Sequence, residues 1–246
     1  MSSYHWNWGV FLSPTADGDT TYLGWLLQGL EWTLALSLSA WLVALALGIV
    51  FGILRTTPSR PLRAIGTLYV ECFRNVPLLV QLFSWYFVLP ELLPPAWGNA
   101  VKQMDPLLQQ FLAAWLCLGC FTGARVAEQV RAGIESLPRG QKSAALALGL
   151  TLPQTYRFVL VPMGLRIIVP PLTSEFLNIF KNSAVASTIG LIELSRQAQQ
   201  LVDYTAQPYE AFIAVTLLYV LINISVMVLM RLLEARTRVP GYIGSK

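Results

Sequence analysis

The chain is short of charge and nearly without histidine. Of its 246 residues only 12% are Asp, Glu, Lys or Arg, where a soluble domain carries about 25%. The lone histidine, His5, lies beside Trp6 and Trp8, where an interfacial aromatic belt explains it better than metal ligation. No HExxH pair, nucleophile elbow or metal-spaced cluster occurs in the sequence, which argues against metal-dependent hydrolysis and Ser- or Cys-based acyl transfer. Gly140-Gln141-Lys142-Ser143 ends like a phosphate loop, but that motif needs Gly and Lys adjacent with another Gly five residues earlier, and position 136 is Ser. The chain therefore has no phosphate loop of its own. Cysteine is scarce too: Cys72, Cys117 and Cys120 all fall in apolar runs. No redox-domain strand precedes Cys117-Leu-Gly-Cys120, so small-residue packing is the reading. Residues 1–10 lack a basic stretch and a small-residue cleavage site, which leaves the first apolar run as the expected targeting signal.

Long apolar runs are abundant. Trp32–Leu54 and Ala211–Met230 contain no charge at all, and each exceeds or equals the roughly 20 helical residues that cross a hydrocarbon core. Three further blocks qualify with interruptions: Ala64–Leu89 (with Glu71, Arg74 and Pro77), Leu107–Ala124 (running into Arg125) and Phe158–Phe180 (with Pro162, Arg166, Pro170, Pro171 and Glu175). The expected fold is an all-α integral membrane protein of five transmembrane helices. An external segment (1–24) precedes a membrane domain (25–235) with spans near 30–54, 64–89, 107–130, 156–180 and 209–233, and a tail (236–246) follows. Thirteen of the 17 basic residues lie after span 1, between spans 3 and 4, or at the C-terminal end, whereas the stretch before span 1 has only Asp17, Asp19 and Glu31. Basic loops stay cytoplasmic, which places the N-terminus outside and the C-terminus inside. The net charge of +4 follows the inner membrane face, so no nucleic-acid partner is implied.

A charge at the bilayer centre costs about 2.5–3.5 kcal/mol on insertion scales, so each charge within a span needs pairing, water or a use. Glu71 and Arg74 are three apart and are expected to neutralise each other on one helix face. Arg125, Glu128, Arg131 and Glu135 form a ladder down span 3, mostly near the cytoplasmic interface where long side chains snorkel. Arg125 is the deepest of the four, and two readings stand for it: an ion pair with Glu128, or a wall of an aqueous path. Pro170 and Pro171 each remove a backbone donor mid-span and are expected, like Pro77, to bend a helix. Ser174, Glu175, Asn178 and Lys181 follow. Irregular backbone at that depth is buried in protein or lines a wet cavity, so span 4 is either a pathway wall or a kinked, packed helix. Gly48-xxx-Gly52 and Gly119-xxx-Gly123 permit close helix contact.

Between spans 3 and 4, on the basic side, lies a turn rich in small residues, Gly140 to Gly149. A small helix there has neither a bilayer to cross nor a core to fill, and its expected use is to sit in a groove on another protein. The pattern Ser143-Ala144-Ala145-x3-Gly149-x9-Val159-x-Val161-Pro162 resembles the EAA loop of ABC importer permeases, with Ser143 in place of the usual Glu. Phe73-Arg-Asn-Val-Pro-Leu-Leu-Val-Gln-Leu-Phe83, Ser136-Leu-Pro-Arg-Gly-Gln141 and the run from Lys181 to Leu194 resemble the polar amino-acid branch of that family. From about Trp6 to Gly244 the chain is most similar to permeases of the glutamate/aspartate type.

The resemblance implies a type I ABC importer permease in the bacterial inner membrane. Such a subunit pairs with an identical or homologous second permease. A cytoplasmic ABC ATPase homodimer carries the ATP and Mg, so this chain binds no cofactor and is not itself an enzyme. The ATPases would grip a coupling helix near 139–152 through Gly140, Ser143, Ala144, Ala145 and Gly149, with Gly149 allowing close approach and Pro153 and Pro162 setting the return bends. A periplasmic amino-acid-binding protein would deliver substrate near 90–110 and 183–207. Arg125 stands where relatives carry an aromatic residue, and a guanidinium there would accept the side-chain carboxylate of glutamate or aspartate in a bidentate fork. Lys181 is expected to shape the gate. Other polar amino acids, such as glutamine, are the alternative cargo. A non-transporting scaffold and a membrane-embedded enzyme are the readings from other classes. The first lacks a reason for the polar residues of span 4, and the second lacks ligands in the spans.

Overall fold

The computed structural model describes residues 4–237. Most of the expected 236–246 tail, including Arg238 and Lys246, therefore lies outside the described residues. The described chain is helical, with an isolated bridge between Pro14 and Thr21 as its only extended pairing. After a 3-10 turn at Trp8–Leu12 come α1 (Tyr22–Thr56), α2 (Arg60–Arg74), α3 (Leu78–Leu92), α4 (Pro95–Lys102) and α5 (Pro106–Glu135). Then follow α6 (Arg139–Ala147), α7 (Leu152–Ile167), α8 (Val169–Ser183), α9 (Leu194–Thr205) and α10 (Pro208–Thr237). Three of these, α1, α5 and α10, are long and apolar enough to cross a membrane. Five spans result only if α2 with α3, and α7 with the run Val169–Ile189, each count as one interrupted span. In α10 only 17% of the most apolar window is buried within the chain, so most of that apolar surface is turned outward.

Prolines set the interruptions. The stretch from Asn75 to Pro77 parts α2 from α3. Two π turns, Ser84–Val88 and Tyr156–Leu160, each end two residues before a proline, Pro90 and Pro162. A proline has no N–H to give the carbonyl four residues back, and a widened turn absorbs the mismatch. The bend expected at Pro170-Pro171 lies instead at Ile168, where the axis turns by 62°. Both prolines then occupy the first turn of α8, a position whose N–H groups have no intrahelical partner in any case.

By contacts the chain forms two compact units, which are described separately. The first comprises the chain up to Ala40, Leu78–Leu118 and Ile179–Ser225. Its core joins Val10, Tyr22 and Leu26 with Leu194, Ala198, Leu201, Ala211 and Val215. The Leu194 N–H donates to Thr33 Oγ1 at 3.1 Å, which docks the start of α9 on α1. Glu193 caps α9, accepting from the N–H groups of Ser195 (3.0 Å) and Arg196 (2.8 Å), and also from the Tyr219 hydroxyl (3.0 Å). Complete burial pushes the Glu193 carboxyl up to about 7 against the hydrogen bonds that favour its charge. The N-terminal segment is tied down at Glu210, which accepts from the Asn7 N–H (2.6 Å) and from the Tyr4 hydroxyl. A cavity of about 120 Å³ lies among Trp85, Tyr86, Leu93, Val101, Met104 and Leu112.

The second unit comprises Trp41–Pro77, Gly119–Asn178 and the chain from Val226. Here α1 and α5 pack closely. A Cβ placed on Gly52 would lie 2.6 Å from Val130 Cβ and 2.8 Å from the Ala127 carbonyl. The first small-residue pair of the sequence, Gly48 and Gly52, thus meets the Gly123–Val130 face of α5. Tyr69 stacks on Phe51 at 4.0 Å and donates its hydroxyl to the Cys120 carbonyl (2.8 Å), while the Tyr156 hydroxyl donates to the Thr56 carbonyl (2.7 Å).

Candidate functional site: an ion-pair network and an exposed loop helix

Glu128 of α5 is the hub of the charge network in the second unit. Its Oε1 takes Arg55 Nη1 at 2.6 Å and Arg74 Nη1 at 3.3 Å, and its Oε2 takes Arg131 Nε at 2.9 Å. Arg131 also pairs with Glu135 one turn on. Two expectations are corrected. Arg74 pairs with Glu128 rather than Glu71, whose carboxylate accepts from the Asn75 amide instead. The cause is that Glu128 offers Arg74 a less exposed acceptor than the outward-facing Glu71 does. Arg125 does not pair with Glu128, which three other guanidiniums already surround. It reaches Glu175 of α8 through Nε–Oε2 at 2.7 Å and Nη2–Oε1 at 3.1 Å. This is a bidentate fork, the strongest arrangement open to a guanidinium and a carboxylate. The Glu175 side chain is 7% exposed and that of Arg125 42%, so one partner is anchored in the protein while the other faces open space.

The rest of the expected polar set of span 4 is distributed along α8. Ser174 and Lys181 are exposed and Asn178 is half-buried. Trp41 stacks on Phe176 at 4.8 Å, which holds the turn bearing Glu175 against α1. The structure brings Arg125 and Glu175 together and sets Glu128 apart from them in a separate cluster. Sequence reading missed Arg55 as a partner of Glu128, because the two are 73 positions apart. Among the described residues no group of three His, Cys, Asp or Glu side chains could hold a metal.

The loop between α5 and α7 folds as a short helix. Pro138 precedes α6, and Gly149 ends it with a positive φ of 85°. The Gly149 N–H donates to Leu146 O (3.0 Å) and the Leu150 N–H to Ala145 O (3.2 Å), the paired bonds of a Schellman cap. Gly149 is thus required by the backbone: a Cβ would meet nothing within 4 Å, but an L side chain is strained at that φ. Thr151 then opens α7, its N–H donating to Gln154 Oε1 at 2.8 Å, with Pro153 in the first turn. On α6, Ala145 is buried and Gly140, Ser143 and Ala144 are exposed. Leu146 and Leu148, which sequence reading passed over, are 43% and 84% exposed. The helix therefore presents small and apolar groups outward, and a sequence scan for unpartnered apolar residues would have found them. Pro162 lies in the second half of α7, after its π turn.

The family described as binding-protein-dependent transport system inner membrane component matches residues 44–239. The glutamate/aspartate import permease protein GltJ of Escherichia coli (strain K12) is 58% identical over 245 residues, covering 99% of this chain and 100% of the relative. A probable glutamine ABC transporter permease protein, GlnM of Bacillus subtilis, is 34% identical over 85% of this chain and 92% of its own length. Among solved structures, an amino acid ABC transporter crystallised with histidines superposes with a TM-score of 0.74 at 30% identity, over 87% of this chain and 95% of that one. The MetNI methionine ABC transporter in an inward-facing conformation shares the fold, with a TM-score of 0.73 at 20% identity over 88% of this chain and 98% of that one. A match over most of the sequence and a relative alike from end to end place this chain in the binding-protein-dependent transport system inner membrane component family, the permease subunits of ABC importers.

Proposed function

We propose that this chain is the permease subunit of an importer that moves glutamate or aspartate across a bacterial inner membrane into the cytoplasm. The observation that carries the cargo is the 58% identity, without a gap in coverage, to a glutamate/aspartate import permease. An arginine facing open space from α5 supports it, because a guanidinium recognises a side-chain carboxylate that glutamine does not have. The N-terminus lies outside and the C-terminus inside, as the distribution of basic residues implies. A separate cytoplasmic ABC ATPase homodimer binds ATP and Mg and docks on α6 through Ser143, Ala144, Leu146 and Leu148, whose exposure suits a groove on a partner. A periplasmic binding protein loads the outer face, and a second permease, identical or homologous, completes the pathway.

Arg125 is the substrate contact in this reading. Uptake of radiolabelled glutamate into proteoliposomes holding the assembled importer tests it. Arg125→Ala is expected to abolish uptake of glutamate and aspartate while the ATPase still co-purifies. Unchanged uptake kinetics in that variant would remove Arg125 from the pathway, and saturable uptake of glutamine by the unaltered importer would shift the cargo to the neutral amino acid.

A further inference from the structure

The carboxylate that holds Arg125 is a glutamate side chain, chemically the same group as the cargo proposed above. The two bonds to Glu175 occupy the Nε and Nη2 edge of the guanidinium, two of its five N–H donors. No other ion-pair partner of Arg125 occurs among the described residues. Glu175 is fixed by burial and by its place on α8, while Arg125 is the exposed member. An incoming carboxylate therefore meets the arginine first, and it finds the Nε–Nη2 edge already filled by Glu175.

Displacing Glu175 outright is unfavourable, because a buried carboxylate without a partner carries the full penalty of desolvation. A ligand bearing only carboxylates repairs one half of the opened pair and strands the other. An acidic amino acid carries both signs: a side-chain carboxylate for Arg125 and an α-ammonium within a few bonds for Glu175. Exchange with such a ligand leaves neither Arg125 nor Glu175 without an opposite charge. We propose that Glu175 stands in for the substrate in the resting permease, and that an arriving acidic amino acid opens the Arg125–Glu175 pair, its side-chain carboxylate taking the Arg125 fork and its α-ammonium taking Glu175. This rests on Arg125 being the substrate contact. It adds the reason why a zwitterionic dicarboxylate is selected over a plain one, and it assigns Glu175 a specificity-determining role.

The test uses the whole nucleotide-free permease–ATPase complex in nanodiscs, with radiolabelled glutamate as the probe and glutarate, which is glutamate without its amino group, as competitor. In the unaltered complex glutarate is expected to bind about 100-fold more weakly than glutamate, the order of effect of one stranded buried charge. In Glu175→Gln, which cannot be stranded as an ion, the two affinities are expected to come within about tenfold of each other, chiefly because glutarate gains. Glutarate matching glutamate in the unaltered complex would overturn the exchange without recourse to any variant. An unchanged ratio in Glu175→Gln would also overturn it, as would loss of both ligands together, which would make Glu175 a positioning residue. Arg125→Gln separates this from the reading beneath it. Retained glutamate binding there removes Arg125 as the contact, whereas lost binding with an unchanged ratio in Glu175→Gln defeats the exchange alone.

Discussion

At the scale of single residues, the informative side chains are carboxylates with several partners each. Glu128 holds three guanidiniums, so its loss leaves like charges facing one another inside the second unit. Glu128→Gln is expected to cost about 2 kcal/mol or more of stability, read as a lowered unfolding midpoint in detergent. Glu193 gives a pH dependence of definite sign. Burial raises its carboxyl from 4.5 to about 7, so the folded state holds a proton that the unfolded chain releases at lower pH. Its contribution is complete below pH 4.5 and is lost as pH rises through 7, by up to about 3 kcal/mol. Unfolding midpoints at pH 5 and pH 8 are expected to differ less in Glu193→Gln than in the unaltered chain, and equal differences would refute the assignment. Of these partnerships only that of Arg131 with Glu128, three positions apart on one helix, was legible in the sequence. Spacing put Arg125 beside Glu128 and Arg74 beside Glu71, because helical neighbours are all that spacing can see. The real partners, Glu175 and Glu128, come from other helices.

At the scale of elements, α6 and its cap show where a motif is legible while its physical reason is not. The small residues and the glycine at 149 were visible as a pattern. Their reading as room for a partner missed that Gly149 has a φ of 85° and terminates the helix. The two roles separate by substitution. Gly149→Val is expected to fray the end of α6 by about 1–2 kcal/mol and to reduce the ATPase that co-purifies, whereas Gly149→Asn, which tolerates that backbone, is expected to retain most of it. Equal loss with Asn and Val would restore close approach as the dominant role. The contact of α1 with α5 was better anticipated. Gly52 leaves no space for a side chain against Val130, and Gly52→Leu is expected to cost about 1–3 kcal/mol by overpacking, seen as reduced yield and a lower unfolding midpoint.

At the scale of the whole molecule, the apolar runs announced a membrane protein, and burial explains why. Helices that face lipid need no alternation, so α1 and α10 read as unbroken apolar stretches. The interrupted spans were harder to delimit, because prolines mark a bend only to within a turn. The axis turns at Ile168, not at Pro170. Orientation is tested by labelling. Cysteines introduced at Leu148 and Trp97, 84% and 71% exposed, are expected to react with an impermeant maleimide from opposite sides. Leu148 should react only in inverted vesicles and be shielded when the ATPase is bound; labelling of both from one side would refute the topology, and Leu148 reacting from outside with Trp97 from inside would reverse it.

The two π turns carry a consequence for alignment. Each holds one residue more than an α-helical turn of the same height, at Ser84–Val88 and at Tyr156–Leu160. In plain α-helix a one-residue gap turns everything beyond it by about 100°. A wide turn takes up its extra residue within itself, so a relative with a one-residue gap in either window would close it to an α turn and keep the same faces on both sides. Below the second window that face includes Gly164, where a Cβ would stand 2.9 Å from an Ile134 side-chain carbon. Gaps in these two windows should therefore need no compensating substitutions downstream, whereas a gap elsewhere in the same helices should travel with them.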